Sequence, residues 1–171
     1  MSELTEQPVE VRFSRTKSLW FDMIFIVGTQ GRIVESSKAM WNILELFDWL
    51  EGIASGEPLV AMNVDREGEI DTVAVRHIDE QRCHLRISDW VFEGVEESDE
   101  DISVFVDAIV SRRKLVWEVY YELKSHSADI GWYDSPGEWE GEPAIEKWLD
   151  WEKWTNPFSF KDEVTGLERA R

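Results

Sequence analysis

Alternation of apolar and polar residues recurs along this chain and restricts its fold more than any other feature of the sequence. A period of two places successive side chains on opposite faces of a β-strand, whereas a helix needs a period of about 3.6 residues. The segments with this alternation are 9–13, 32–36, 59–64, 70–78, 83–90 and 102–110. The sequences DREG at 65–68 and DEQR at 79–82 are typical of tight turns, so we expect consecutive strands to pair as antiparallel hairpins.

The segment LWFDMIFIV at 19–27 differs from the others because it is apolar on both faces. A strand with two apolar faces is typical of the middle of a sheet, so we predict a central strand. The sequence GTQG at 28–31 supplies glycines for the turn that follows it. Leu19, Phe21, Met23, Phe25 and Val27 define one face of this strand, and Trp20, Ile24 and Ile26 define the other.

Two longer helices are predicted between and after these strands. Ser36 or Ser37 is positioned to cap the first helix, and Gly56 and Pro58 end it. The second helix, within 111–126, has apolar residues on most sides, which predicts packing against more than one element. The inward stripe predicted for the first helix comprises Met40, Ile43, Leu44, Phe47 and Leu50.

These elements predict an α+β fold: a mainly antiparallel sheet with the two longer helices and a short C-terminal helix packed on it. A chain of 171 residues with 43% hydrophobic residues can bury one substantial core, so we expect one domain over 1–171. Residues 1–8 and 162–171 are expected to be flexible termini. The predicted core consists of Phe21, Met23, Phe25, Met40, Leu44, Phe47, Val60, Val73, Leu85, Ile87, Val104, Val119 and Leu123.

The charge balance favours basic partners. Acidic residues outnumber basic residues 36 to 18, giving a net charge of −18. Such a charge disfavours direct binding to nucleic acid or to an anionic membrane, and it attracts cationic molecules over long range. The N-terminal sequence lacks the profile of a signal peptide, and Cys83 is the single cysteine, so we expect a cytoplasmic protein without an internal disulfide.

The sequence contains no motif that commits it to a chemistry. A Gly-rich phosphate loop, HExxH, paired CxxC, GxSxG and EF-hand spacing are all absent from it. A two-residue turn at Glu80 and Gln81 would place His77 opposite His84, close enough for a shared metal ion. Because the sequence indicates no third ligand, we expect neither a metal site nor a cofactor, and no catalytic residue is predicted.

The run EGVEESDED at 93–101 contains six carboxylates and no basic residue. Clustered exposed acids lack the desolvation that separates the pKa of an acid from that of a base, and the run lacks calcium-loop spacing. A solvated loop is one interpretation, and an acidic contact surface for a basic partner is the other. The residues predicted for that contact are Glu96, Glu97, Asp99, Glu100 and Asp101.

Five of the ten tryptophans lie between Gly131 and Phe160, among many carboxylates. A short helix is predicted from Pro143 to Trp154, and its aromatic side either closes the core or forms exposed anchors. Tryptophan is enriched among binding hot spots, and a charged rim speeds encounter and selects partners. The preceding loop therefore supplies further predicted contact residues, namely Trp132, Glu138, Trp139, Glu140 and Glu142.

A small acidic α+β chain with many tryptophans and few reactive groups resembles the immunity proteins of bacterial toxin systems, including contact-dependent inhibition. The resemblance is one of general character across the whole chain. It implies a protein that binds a cognate toxin domain, often a basic nuclease, and blocks its active site or substrate path. Two alternatives remain open: a nucleic-acid mimic or accessory interaction module, such as a phage counter-defence factor, and an enzyme with an unrecognised site.

Overall fold

The computed structural model describes residues 5–17, 20–37, 44–89 and 102–126. Within these ranges the chain forms two helices and seven strands. In chain order they are β1 (Val9–Lys17), β2 (Trp20–Val27), β3 (Gln30–Ser37), α1 (Leu44–Ser55), β4 (Leu59–Asp65), β5 (Ile70–His77), β6 (Arg82–Asp89), β7 (Val104–Ser111) and α2 (Arg112–Ser125).

The strands form two sheets in which all neighbours are antiparallel. The first sheet has the order β1-β2-β3 and the second has the order β4-β5-β6-β7. The predicted α+β class and the antiparallel pairing are therefore confirmed, and β2 is the central strand of its sheet. The strands divide between two sheets, and the C-terminal helix predicted at 143–154 lies outside the described residues.

The outer edge of β7 joins the two sheets. The backbone N–H of Gln7 donates to the carbonyl oxygen of Ile109 over 2.8 Å. Two residues further along the same edge, the N–H of Asp107 donates to Oε1 of Gln30, which begins β3, over 2.7 Å. The backbone of Gln7 and the side chain of Gln30 thus satisfy hydrogen-bonding groups along the β7 edge. Without them, this edge would be open to pairing with another strand.

Most of the predicted core is buried. Val60 is partly buried against the core, whereas Met40 and the side chain of Leu44 lie outside the described part of the chain. The prediction for Val104 is wrong, since this residue is 42% exposed. It begins β7 beside a register shift at Ile87 and Ser88. The confirmed core residues are Phe21, Met23, Phe25, Phe47, Val73, Leu85, Ile87, Val119 and Leu123.

Helix α1 ends as the sequence predicts. The N–H of Gly56 donates to the carbonyl oxygen of Ile53, and the N–H of Glu57 donates to that of Gly52. This pair of bonds is the Schellman motif, which requires a left-handed residue, and Gly56 has φ +80°. At the other end, Ser36 donates its hydroxyl hydrogen to the carbonyl oxygen of Phe21 within the first sheet, so it does not act as the predicted cap.

Ser37, the alternative cap, is the last residue of β3, and its hydroxyl donates to Oε1 of Glu67. Residues 38–43, which follow it, lie outside the described ranges. The start of the first helix therefore stays a prediction.

Helix α2 covers the edge of β1 with two buried carboxylates. Oε2 of Glu118 accepts from the backbone N–H of Val11 over 3.3 Å, and Oε2 of Glu122 accepts from that of Phe13 over 2.8 Å. The two glutamates are four residues apart, so they lie on one face of the helix. The two backbone donors are two residues apart, so both point to the same side of the strand. Lys114 pairs with Glu118 over 2.7 Å. The two carboxylates therefore satisfy backbone donors that an edge strand leaves unpaired.

The turn between β4 and β5 contains an unfavourable backbone conformation. Glu67 and Gly68 occupy its two central positions with φ of 64° and 108°, as a type I′ turn requires. Replacing Glu67 by glycine is expected to raise the free energy of unfolding by about 0.5–1 kcal/mol, whereas Gly68→Ala should lower it by about 1–2 kcal/mol. Urea unfolding of both variants checks this, and a loss of stability in Glu67→Gly would contradict it.

Candidate binding surface

The strand order places several acidic residues at one end of the second sheet. Because the strands are antiparallel, β4 and β6 finish at the end where β5 and β7 begin. Glu35 on β3 reaches this end through its ion pair with Arg66, over 3.1 Å. We define the acidic end by its described carboxylates, Glu35, Asp65, Glu67, Glu69, Asp71 and Asp89.

Two arginines partly neutralise the acidic end. Arg32 binds the buried carboxylate of Asp71 with two bonds, Nε to Oδ2 at 3.1 Å and Nη2 to Oδ1 at 2.7 Å. Arg66 pairs with Glu35 and also with Glu69. Glu67 and Glu69 are exposed in the turn, so negative charge faces solvent even though Asp71 is buried.

The predicted acidic contact residues are connected to this same end. Glu96, Glu97, Asp99, Glu100 and Asp101 lie outside the described residues, but their segment follows β6 and precedes β7. The backbone N–H of Asp89 donates to the carbonyl oxygen of Ser103 over 3.0 Å, which holds the two flanks of the segment together. The segment 90–101, which contributes six more carboxylates to the sequence, is therefore connected at both of its flanks to the acidic end.

The opposite end of the second sheet has a different charge. Arg76 lies next to the last residue of β5, and Arg82 begins β6. The first three residues of α2 are Arg112, Arg113 and Lys114. Arg82 pairs with Asp79 over 2.7 Å, and burial lowers the pKa of Arg112. The charge of the described residues is therefore distributed unequally along the strands of this sheet, with the carboxylates concentrated at the acidic end.

The two histidines do not face each other, which corrects the predicted pairing. His77 pairs with Cys83, and His84 pairs with Arg76. The turn is one residue longer than predicted because Oδ1 of Asp79 accepts from the N–H groups of both Gln81 and Arg82. Nδ1 of His77 lies 3.0 Å from Nη1 of Arg112.

His84 contacts Asp107 on β7, so the two histidines have separate partners. Alternation along the strands places them on opposite faces of the sheet. Within the described ranges no group of three or more His, Cys, Asp or Glu side chains is positioned to hold a metal ion.

Cys83 is buried on the inner face of the second sheet. Burial raises the pKa of its thiol to about 12. A thiol of such high pKa carries little thiolate at neutral pH, and the thiolate is the nucleophile in cysteine chemistry. The geometry of Cys83 is therefore that of a core residue.

The remaining predicted contact residues, Trp132, Glu138, Trp139, Glu140 and Glu142, lie outside the described part of the chain. Two other tryptophans are described in full: Trp49 on α1 and Trp117 on α2 are both buried. The ring of Trp117 stacks on that of Tyr120, with centroids 6.1 Å apart. Tryptophan thus serves the core in both described helices.

The sequence did not identify the whole surface. It singled out the acidic run at 93–101 but not Glu35, Glu67 and Glu69, because these residues are distant from the run in sequence. The signal that could have found them is the turn DREGE at 65–69, which has three acids and leads into a strand paired with β6.

No helix of the described ranges is both long and apolar enough to cross a membrane. Comparison of the chain with protein-family models, curated proteins and solved structures finds no match.

Proposed function

We propose that this chain is a non-catalytic acidic protein that binds a basic partner, and that the partner is a toxin domain that it neutralises. The observation that carries the proposal is the acidic end, which combines exposed carboxylates of a hydrogen-bonded turn with the flanks of a six-carboxylate segment. A concentrated negative surface attracts a cationic protein and orients it during encounter.

The hydrogen bonding of the turn at the acidic end supports a role in recognition. The turn at 66–69 is closed by a backbone hydrogen bond from Arg66 to Glu69 of 2.9 Å, and the N–H of Gly68 donates to Oδ1 of Asp65. A turn whose backbone is already held by hydrogen bonds loses less conformational entropy when a partner binds. Inhibition would then follow because a protein bound over a basic active site excludes the substrate.

The partner itself can be identified with the full chain as bait. Proteins captured from the native host should include a basic protein at stoichiometric amounts, released by raised salt. Co-expression of this chain should restore the growth of cells that produce the captured domain. Capture of an acidic protein alone, or growth that stays arrested, would contradict the proposal.

Charge reversal at the acidic end should slow association with that partner. We expect Glu67→Lys with Glu69→Lys to lower the association rate constant about tenfold at low salt, because steering depends on local potential. The difference should shrink as salt rises and the Debye length falls to about 8 Å at 0.15 M. Stopped-flow kinetics over a salt series measures both effects.

The matched control changes the same number of charges at the opposite end of the sheet. Glu57 and Glu80 are exposed there, and Glu57→Lys with Glu80→Lys should change the rate constant less than about threefold. Equal effects of the two double variants would show that net charge alone acts, and would remove the acidic end from the binding surface.

A further inference from the structure

The outer edge of β4 carries backbone groups that point away from the second sheet. The carbonyl oxygen of Pro58, just before the strand, accepts from β5 over 3.0 Å, and the N–H of Arg66, just after it, donates across the following turn over 2.9 Å. Hydrogen-bonded positions alternate with outward-pointing positions along an antiparallel strand. Every second residue between Pro58 and Arg66 therefore bonds to β5, and the N–H and C=O groups of Leu59, Ala61 and Asn63 point away from it.

These outward groups form an uncovered edge. β4 is the end strand in the order β4-β5-β6-β7, and none of the three residues has a backbone hydrogen-bond partner within the described ranges. All three are exposed, and Leu59 is 55% exposed. By contrast, the β1 edge is covered by Glu118 and Glu122, and the β7 edge is covered by Gln7 and Gln30. An uncovered edge is a template on which another extended chain forms hydrogen bonds.

Negative charge adjoins this edge. Asp65 ends β4, and Glu67 is exposed in the turn that follows. Helix α1 lies against the strand, because a Cβ added to Gly52 would overlap Cγ1 of Val60. Asp48 is one turn before Gly52 on the same side of α1 and is exposed. A strand that pairs with β4 thus runs beside carboxylates, which favours Lys and Arg in it and disfavours Asp and Glu.

A second copy of this chain fits the edge poorly. Antiparallel pairing of two β4 strands about Ala61 would place Glu57 of one copy opposite Asp65 of the other, and like charges directly opposite are destabilising. Each copy also carries a net charge of −18. The charges therefore favour a basic strand from a different protein over self-association.

We propose that the edge of β4 binds an extended basic segment of a partner protein by β-strand addition. Backbone hydrogen bonds from Leu59, Ala61 and Asn63 hold the segment, and its Lys or Arg side chains lie beside the acidic end. This inference rests on the proposed function for the existence of a basic partner, and it adds the way in which that partner is held. The acidic end speeds encounter, and the β4 edge slows dissociation.

A synthetic peptide tests the edge directly. The probe is Lys-Val-Thr-Val-Thr-Val-Lys with blocked ends, which matches the seven residues of β4 and places a lysine at the acidic end whichever way it runs. At millimolar peptide, the amide hydrogens of Leu59 and Ala61 should exchange at least about threefold more slowly by NMR, because they gain hydrogen bonds. Those of Val60 and Met62 already bond to β5 and should not change. The same peptide with glutamate at both ends should leave all four rates unchanged.

A proline variant removes one outward N–H of β4. Ala61→Pro leaves the β4–β5 hydrogen bonds in place, since proline is tolerated where the N–H of an edge strand points away. It should abolish the slowing at Leu59, whereas Ala61→Ser keeps the N–H and should respond as the wild type does. Protection of the α2 amides verifies that each variant is folded, and Asn63→Pro replaces Ala61→Pro if it is not. Unchanged exchange in the wild type, equal slowing in the folded proline variant, or equal slowing by the glutamate peptide would overturn the proposal.

The captured partner separates a failure of strand addition from a failure of the proposed function. Ala61→Pro should raise the dissociation rate constant at least about tenfold and change the association rate constant less than about threefold. If Glu67→Lys with Glu69→Lys slows association but Ala61→Pro leaves dissociation unchanged, strand addition is wrong and the proposed function stands. If the lysine peptide pairs with β4 but the host supplies no basic partner, the proposed function is wrong and the β4 edge still binds a basic strand.

Discussion

Truncation of Phe25 to alanine is expected to lower the free energy of unfolding by about 3 to 5 kcal/mol. Phe25 lies in the middle of β2, between Val11 on β1 and Arg32 on β3, and it is fully buried. Removal of its ring loses the transfer free energy of the buried atoms and leaves a cavity that paired strands on both sides cannot collapse to fill. Denaturant unfolding gives the loss from the shift in midpoint.

Ile26→Ala is the matched control, because Ile26 is the next residue on the same strand but faces outward. Its loss should be about 1 kcal/mol or less, since its side chain is partly exposed already. If Phe25→Ala shifted the midpoint no more than Ile26→Ala, the buried position of Phe25 at the centre of the first sheet would be wrong.

Local patterns predicted the elements of this fold well. Alternation located the strands because the period of two is a property of the strand itself, independent of its partners. The end of α1 was predictable because Gly56 provides the left-handed conformation that the Schellman motif requires. The central position of β2 followed from its two apolar faces, although Ile26 proves to be partly exposed.

Features that depend on one specific side-chain bond or on the register between strands were not predictable in this way. The β5–β6 turn is longer than expected because the Asp79 carboxylate accepts two backbone N–H groups. The exposure of Val104 follows from a register shift at Ile87 and Ser88 on the neighbouring strand. Neither the longer turn nor the register shift alters the alternation of apolar and polar residues, so the sequence pattern does not reveal them.

The candidate surface was predictable only in part for a similar reason. The acids at 93–101 are contiguous, so composition alone reveals them. Relating the flanks of their segment to Glu67 and Glu69 requires knowledge that β4, β5, β6 and β7 are neighbours in that order. The burial of Glu118 and Glu122 was not predictable either. In the sequence they look like solvent-facing residues of a helix, and only the structure shows that they accept hydrogen bonds from the edge of β1.

The ion pair between Arg32 and Asp71 links the two sheets. Arg32 extends from β3, and its guanidinium lies 3.6 Å from the ring centroid of Phe105 on β7 while it binds Asp71 on β5. The side chains of Arg32 and Asp71 are 23% and 5% exposed. A charge pair this far removed from water depends on both partners, because either charge alone would be buried without compensation.

Removal of Asp71 alone should therefore be costly. We expect Asp71→Ala to lower the free energy of unfolding by about 3 kcal/mol, because it leaves the Arg32 guanidinium beside Phe105 without its carboxylate. The double variant Arg32→Met with Asp71→Ala should recover part of this loss, since no uncompensated charge remains and the methionine can pack on the ring. Denaturant unfolding of the two single variants and the double variant completes the cycle.

An exposed ion pair of the same sheet provides the comparison. Glu10 pairs with Arg12 on β1, and both side chains are more than two-fifths exposed, so Glu10→Ala should cost less than about 1 kcal/mol. The expected order of losses is Asp71→Ala, then the double variant, then Glu10→Ala. A loss for Asp71→Ala as small as that for Glu10→Ala would mean that water screens the Arg32 pair, and that this pair contributes little to holding the two sheets together at the acidic end.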